Sequence, residues 1–378
     1  MCEMDGALSG LKVLDFSTLL PGPFATLMFA DMGAEVVHIE SPTRVDLVRV
    51  MPPYANGQAT AHSYLNRNKQ SIALDLKEAN SIELIKSKIK DYDIVVEQFR
   101  PDVMKRLGLG YETLSAINPR LIYCSITGYG QTGQYRNRAG HDINYLALSG
   151  IAGHSGRKAS GPPPLGVQVA DVAGGSLHAV IAILAAVVER ARSGLGQYID
   201  ISMTDCAVSL NNMAASAQLA ANHNAEAESA ALNGGSFYDY YRCADGRYLS
   251  IGGLEPQFLQ GLAQALQLSI VAEKGLSQLP DDQKLVKEAI QNKIETKDLA
   301  YWQDFFAQRD LCVEPVLSLA EALHSELAVE REWVVNVPLA NPNESNATVE
   351  RQLTNPIQFS RSKMRYDYVG QALGAGKW

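Results

Sequence analysis

A histidine–aspartate pair, His141-Asp142, interrupts the segment TGYGQTGQYRNRAGHDINYLALSG, in which five glycines break an otherwise regular rhythm. Further along, Asp171 stands in PPPLGVQVADVAGGSLHAV, between an apolar run and the start of a long apolar stretch. Imidazole and carboxyl groups are the side chains most often used to move protons near neutral pH. A carboxylate partly withdrawn from water has a raised pKa and becomes a useful base or nucleophile. If a helix opens at Ile143, the backbone N–H groups of His141 and Asp142 are unpaired donors, and a developing enolate oxygen could rest on them. The same residues also fit a plain structural role. Asp142 can cap its own helix, His141 can sit hydrogen-bonded in a core, and Asp171 can cap the long apolar helix.

The remaining histidines and cysteines point elsewhere. Nothing around His154 or His178 marks them for chemistry, and no histidine pair has the spacing of a metal site. No phosphate-binding loop or G-x-G-x-x-G follows the first strand, so nucleoside triphosphate and dinucleotide chemistry are not indicated. Cys2, Cys124, Cys206, Cys243 and Cys312 are far apart and read as reduced thiols. The net charge of -8 at 378 residues argues against a broad nucleic-acid surface, so an anionic ligand must be met by local clusters. The start, MCEMDGALSG, lacks a signal-peptide pattern, which points to the cytoplasm, and the ending Gly-Lys-Trp carries no peroxisomal address. The most apolar run, Ala179 to Val188, is too short for a bilayer and is expected as a buried helix.

These residues need a scaffold, and the chain's apolar pattern supplies one. β-rich runs at Leu11 to Phe16, Glu35 to Ile39, Ser71 to Leu74, Ile94 to Glu97, Leu121 to Ile126 and Tyr198 to Ser202 alternate with helical patterns, among them Phe24 to Met32 and Gly174 to Arg192. Such alternation predicts an α/β fold around a parallel, Rossmann-like sheet. From about Ala220 the texture changes to a polar linker and an aromatic hairpin turning at Asp245-Gly246. The expected organisation is therefore a large domain over 1–220, a smaller α+β domain over 221–330, and a tail over 331–378 packing back on the large one.

Extended blocks carry a family resemblance. LSGLKVLDFSTLLPGPFATLMFADMGAEVVHIESP, NRNKQSIALDLK, VVEQFRPDVMKRLGLGY, SITGYGQTG and SGLGQYIDISM are similar to class III CoA-transferases. AGHDINYLALSG, VADVAGG and FYDYYRCADGRYLSIGGLEPQF resemble the α-methylacyl-CoA racemase branch. The resemblance implies an interlocked homodimer acting on an acyl-CoA thioester, with no prosthetic group and CoA arriving as part of the substrate. It implies that His141 and Asp171 are the two acid/base groups, that Glu255 orients the histidine, and that the Asp142 N–H receives the enolate oxygen. CoA phosphates are expected at basic residues of the early loops: Arg44, Arg49, Lys69, Arg100 and Lys105. Two departures stand out, Gln70 where a second basic residue is common and Asp102 where Gly is usual. The alternative within the family is CoA transfer, with Asp171 attacking an acyl-CoA to form an anhydride. Transferases generally lack a histidine at the position of His141 and carry a longer glycine-rich loop where this chain reads IGGLEPQF, which favours the racemase. An idle acyl-CoA binder is the reading from a different class, and the joint presence of His141, Asp171 and Glu255 argues against it. The acyl group is open, and no membrane or nucleic-acid partner is expected.

Overall fold

The computed structural model describes residues 6–339 and 349–378; Cys2 and the rest of the opening MCEMD lie outside the described residues. The chain divides into two compact units, one comprising Met1–Ser149, Leu165–Leu210 and Glu326–Trp378, the other Gly150–Pro164 and Asn211–Ser325.

The first unit is built on a six-stranded sheet of β1 (Lys12–Asp15), β2 (Glu35–Glu40), β3 (Lys69–Ala73), β4 (Ile94–Glu97), β5 (Ile122–Thr127) and β6 (Tyr198–Ser202). The spatial order is β3-β2-β1-β4-β5-β6, and every neighbouring pair is parallel. β4 and β5 are buried throughout, as expected of strands covered on both faces, whose sequences read as continuous apolar runs rather than alternations. The chain reverses its winding between β1 and β4, which opens a crevice at the carboxyl ends of those two strands. Helix α1 (Pro21–Asp31) leaves β1 through this crevice, with prolines in its first turn where no N–H partner is needed.

Charged residues are buried with their partners. Asp31 takes two bonds from the Arg67 guanidinium, Glu40 takes two from Arg49, and Asp15 lies 3.4 Å from the Lys69 ammonium. Ions so desolvated persist only when each is matched. The tail runs back over this unit: Arg365 N–H bonds the Asp31 carbonyl, Gly376 N–H that of Ser71, and Trp378 Nε1 the Tyr92 hydroxyl.

The long apolar helix differs from expectation. It does not open at Gly174-Gly175; a π-helical segment, Ala170–Leu177, runs directly into α-helix α3 (His178–Ser193). The segment packs closely against its neighbours, since a Cβ at Gly175 would stand 3.0 Å from Met203 Cγ. Nor is the helix simply buried. Ala179, Val180, Ile183 and Ala186 face the interior, while Ile181 and Val188 are 64% and 65% exposed. By length and composition alone, Ala170–Ser193 could cross a membrane, so the length argument drawn from Ala179 to Val188 does not hold.

The second unit has its own core, centred on Phe237, Tyr241, Leu259, Ile290 and Trp302. Strands β7 (Asp239–Arg242) and β8 (Tyr248–Ile251) form the aromatic hairpin, and β9 (Val313–Pro315) pairs antiparallel with β8 on the other side. The division falls before Asn211 and after Ser325 rather than at 220 and 330, and 150–164 belongs with the second unit. Polar contacts bind that short segment: Arg157 pairs with Asp239 and Glu228, and His154 Nε2 lies 3.0 Å from Asn211 Oδ1.

Candidate active site

The crevice at the ends of β1, β4 and β5 holds a cavity of about 420 Å³. Leu19 and Pro21 line it from the β1 side, Gln98 and Arg100 from the loop after β4, and Thr127 and Gly128 from the end of β5. His141 and Asp171 line this same cavity. A pocket of this size at a topological switch point is where an α/β sheet binds its ligands. Leu19 itself is held at φ +60° by its N–H bonding to the Asp46 carboxylate, a backbone strain of the kind that gathers at functional sites.

His141 is the N-cap of α2 (Asp142–Leu148). Its own N–H is bonded to Asn144 Oδ1 at 3.0 Å, which corrects the expectation of two unpaired donors. The Asp142 N–H remains without a partner among the described residues. The loop before His141 is pinned by Tyr145, whose hydroxyl donates to the Gly140 carbonyl at 2.6 Å. A Cβ at Gly128 or Gly140 would drive into that ring, at 2.5 and 2.7 Å, which accounts for two of the loop's glycines.

Asp142 does not cap its own helix. Its carboxylate reaches across to the π-helical segment and accepts the N–H groups of Ala170 and Asp171, at 2.6 and 3.1 Å. One residue thus fixes the spacing between the His141 turn and the Asp171 turn. Ser176 anchors the same segment to α1 by donating to the Pro21 carbonyl at 2.7 Å. Asp171 is not a cap either: it is the second residue of the π segment, and its carboxyl has no hydrogen-bond or ion-pair partner among the described residues. Burial pushes it up to about 6, the Asp142 charge adds to this, and His141 opposes it. A carboxyl in that range holds or releases a proton near neutral pH.

The expected phosphate-binding residues divide. Lys69 is 1% exposed and bonded to Asp15, the Pro23 carbonyl and Asn66, so its ammonium is committed to the core. Arg49 is committed to Glu40 and the Gln371 carbonyl. Both assignments are corrected: these cations neutralise buried carboxylates. Arg44 is exposed, Arg100 lines the cavity, and Lys105 lines a second one beside it. Missed in the sequence were Arg136 and Arg138, which also line the cavity. They lie five and three residues before His141, in the loop already singled out, and that position was the signal. Arg136 pairs with Asp102, and Arg138 stacks 3.9 Å over the Tyr135 ring. Asp102 has φ +66°, so the departure from Gly is one that an aspartate tolerates.

Glu255 is an exposed residue of the second unit, at the N-cap of helix Pro256–Leu266. His178 and His154 are structural, bonded to the Ala173 carbonyl and to Asn211. Among the described residues, no group of three histidine, cysteine or acidic side chains could hold a metal ion, and the four described cysteines are free.

The family model for CoA-transferase family III matches residues 8–375. An alpha-methylacyl-CoA racemase from Homo sapiens is 37% identical over 329 residues, covering 86% of this chain and 81% of the relative. A succinyl-CoA:glutarate CoA-transferase from Mus musculus is 33% identical over 346 residues, covering 87% and 78%. Among solved structures, a CAIB/BAIF family protein from Brucella suis superposes with a TM-score of 0.82 at 27% identity, covering 98% of this chain and 97% of that one.

Proposed function

This chain belongs to CoA-transferase family III, and from that premise we propose that it interconverts the epimers of 2-methylacyl-CoA thioesters by proton transfer at the carbon beside the thioester carbonyl. The observation that carries the reading is that an imidazole, His141, and a carboxyl group raised to about 6, Asp171, line one cavity.

The Asp171 carboxylate takes the α-hydrogen as a proton, and the C–H electron pair moves into the new carbon–carbon double bond of the enolate. The carbonyl electrons move onto oxygen, which accepts the free Asp142 N–H; one such donor is worth about 3 kcal/mol in the transition state. Protonated His141 then delivers a proton to the opposite face of the carbon, and the carbonyl re-forms. Run in reverse, the histidine is the base and the aspartic acid the donor. One enantiomer is served by each group.

Acyl-CoA is the substrate, CoA enters with it, and no prosthetic group takes part. Cavity-lining Arg100, Arg136 and Arg138, with Arg44 and Lys105 outside it, are the cations left to meet the CoA phosphates. A second copy of the chain completes the assembly, in the cytoplasm. The apolar Ile143, Leu148, Ile181 and Val188 left exposed on α2 and α3 are residues a partner would cover. A role for Glu255 in orienting the histidine rests on the sequence resemblance. CoA transfer through an aspartyl anhydride is the second reading, favoured by the identity to a named CoA-transferase.

One experiment separates the two. Incubation of a 2-methylacyl-CoA in deuterium oxide is expected to place deuterium at the α-carbon without any acceptor acid, and His141→Ala or Asp171→Ala abolishes this while CoA still binds. No label without an acceptor, together with CoA transfer when one is added, reverses the assignment.

A further inference from the structure

The turn between β1 and α1 forms one wall of the reaction cavity, and it is tied down at both ends. At its start Ser17 donates its N–H to Asp15, and the Ser17 carbonyl lies 2.9 Å from His38 Nε2. At its far end the Gly22 N–H donates to Gln98 Oε1, and the Pro21 carbonyl accepts the Ser176 hydroxyl of the segment that carries Asp171. Leu19, between the two, is the strained residue, at φ +60°. Glycine takes that angle freely, whereas leucine holds it only where its surroundings compel it. What compels it is Asp46, 27 residues on: both carboxylate oxygens accept the Leu19 N–H, at 3.2 and 3.1 Å. Asp46 is 8% exposed, and among the described residues its carboxylate accepts only backbone N–H groups. The second is that of Val48, in the short helix Leu47–Arg49 that Asp46 caps.

We propose that Asp46 is a positioning residue for the reaction: through the Leu19 N–H it fixes the cavity wall to which the Asp171 segment is anchored. Asp46 does not line the cavity, so it acts through Leu19 and touches no reacting atom. Without the acceptor, Leu19 relaxes toward negative φ, and the chain leading into Pro21 turns with it. The Pro21 carbonyl and the Ser176 hydroxyl are the next links, so the Asp171 carboxyl shifts relative to His141. A displacement of about an ångström at a reacting group slows a reaction strongly while the fold survives. The proposal rests on the α-proton chemistry above.

The test is a double-substitution cycle on the full-length protein, read as the α-deuteration rate per folded molecule at saturating 2-methylacyl-CoA. Asp46→Ala is expected to lower this rate at least about tenfold with KM within about threefold. Asp46→Asn keeps an oxygen for the Leu19 N–H and should stay within about threefold of the parent. In a Leu19→Gly background, where φ +60° needs no restraint, Asp46→Ala should cost less than about threefold. Asp46→Ser, which still caps the helix with a shorter side chain, serves the same comparison where Asp46→Ala is too unstable. A residue that only caps Leu47–Arg49 would lower Tm equally in both backgrounds and leave the rate unchanged. That result, or the same fold-loss of rate in both backgrounds, overturns the proposal. A parent that places no deuterium at the α-carbon instead defeats the α-proton reading, and the same ratios are then read from acceptor-dependent CoA transfer.

Discussion

Two aspartates of the first unit, Asp15 and Asp171, have been given opposite surroundings. Asp15 ends β1 fully buried, and although burial alone would raise its pKa, the Lys69 ammonium, His38 and the hydroxyls of Ser17 and Thr26 together hold it below the usual carboxylate range. Asp171 is less deeply buried, yet it has no partner among the described residues, and burial wins. Depth therefore does not decide which carboxyl titrates near neutrality. In this pair the difference lies in the partners: Asp15 has an ammonium and two hydroxyls, while the nearby donors of the π turn go to Asp142.

The comparison is broken most severely through activity. Asp171→Asn is expected to lower α-proton exchange by roughly a thousandfold, whereas Asp15→Asn should leave exchange per folded molecule within about threefold. A parallel loss in the two variants, measured by α-deuteration rates normalised to folded protein, would remove the distinction.

Stability should move in opposite directions. Asp15→Asn strands a buried ammonium and is expected to cost about 3–5 kcal/mol in urea unfolding. Asp171→Asn removes a desolvated charge and should stabilise the protein at pH 7 by roughly 1–2 kcal/mol, discounted for partial exposure. The signs in pH follow. For Asp171 the folded pKa lies above the unfolded value, so its contribution to stability falls as pH rises from 3.8 to about 6. For Asp15 the folded pKa is depressed, and its contribution is present above 3.8 and lost as pH falls through the folded value.

A gentler probe is the rate profile. In the direction that uses Asp171 as base, kcat/KM should rise with pH through about 6. Asp142→Asn removes a like charge and should shift that midpoint downward. A midpoint unmoved in Asp142→Asn would show that burial alone sets it.

The smallest expected effect contrasts two arginines on the same principle. Arg100→Ala should raise KM for acyl-CoA about tenfold with little change in Tm, since its guanidinium lines the cavity. Arg49→Ala should do the reverse, lowering Tm with KM nearly unchanged, because that guanidinium serves Glu40.

The parallel sheet was legible because its central strands are covered on both faces, and buried runs such as Ile94 to Glu97 and Ile122 to Thr127 mark their own limits. His141 and Asp171, which line one cavity, stood out in the sequence because a glycine-rich loop and an acid beside an apolar helix both break a simple pattern. Two of the early cations, Arg49 and Lys69, were misread for a physical reason. A lysine destined for Asp15 and one destined for a phosphate look alike in one dimension, and only the sheet order that sets β3 two strands from β1 tells them apart. The π segment was hidden because period alone does not distinguish a glycine-rich π turn from an α turn.

That segment has a consequence for how the chain tolerates change in length. Each turn between Ala170 and Leu177 takes up more chain than an α turn, so Asp171 is rotated relative to the stripe of Ala179, Ile183 and Ala186 that seats α3. Deleting a single residue from 172–176 would let the run relax to uniform α geometry. The stripe would stay seated on the sheet while the acid swung about a quarter turn away from the imidazole. The protein would keep its shape while the carboxyl proposed as its proton donor left the cavity.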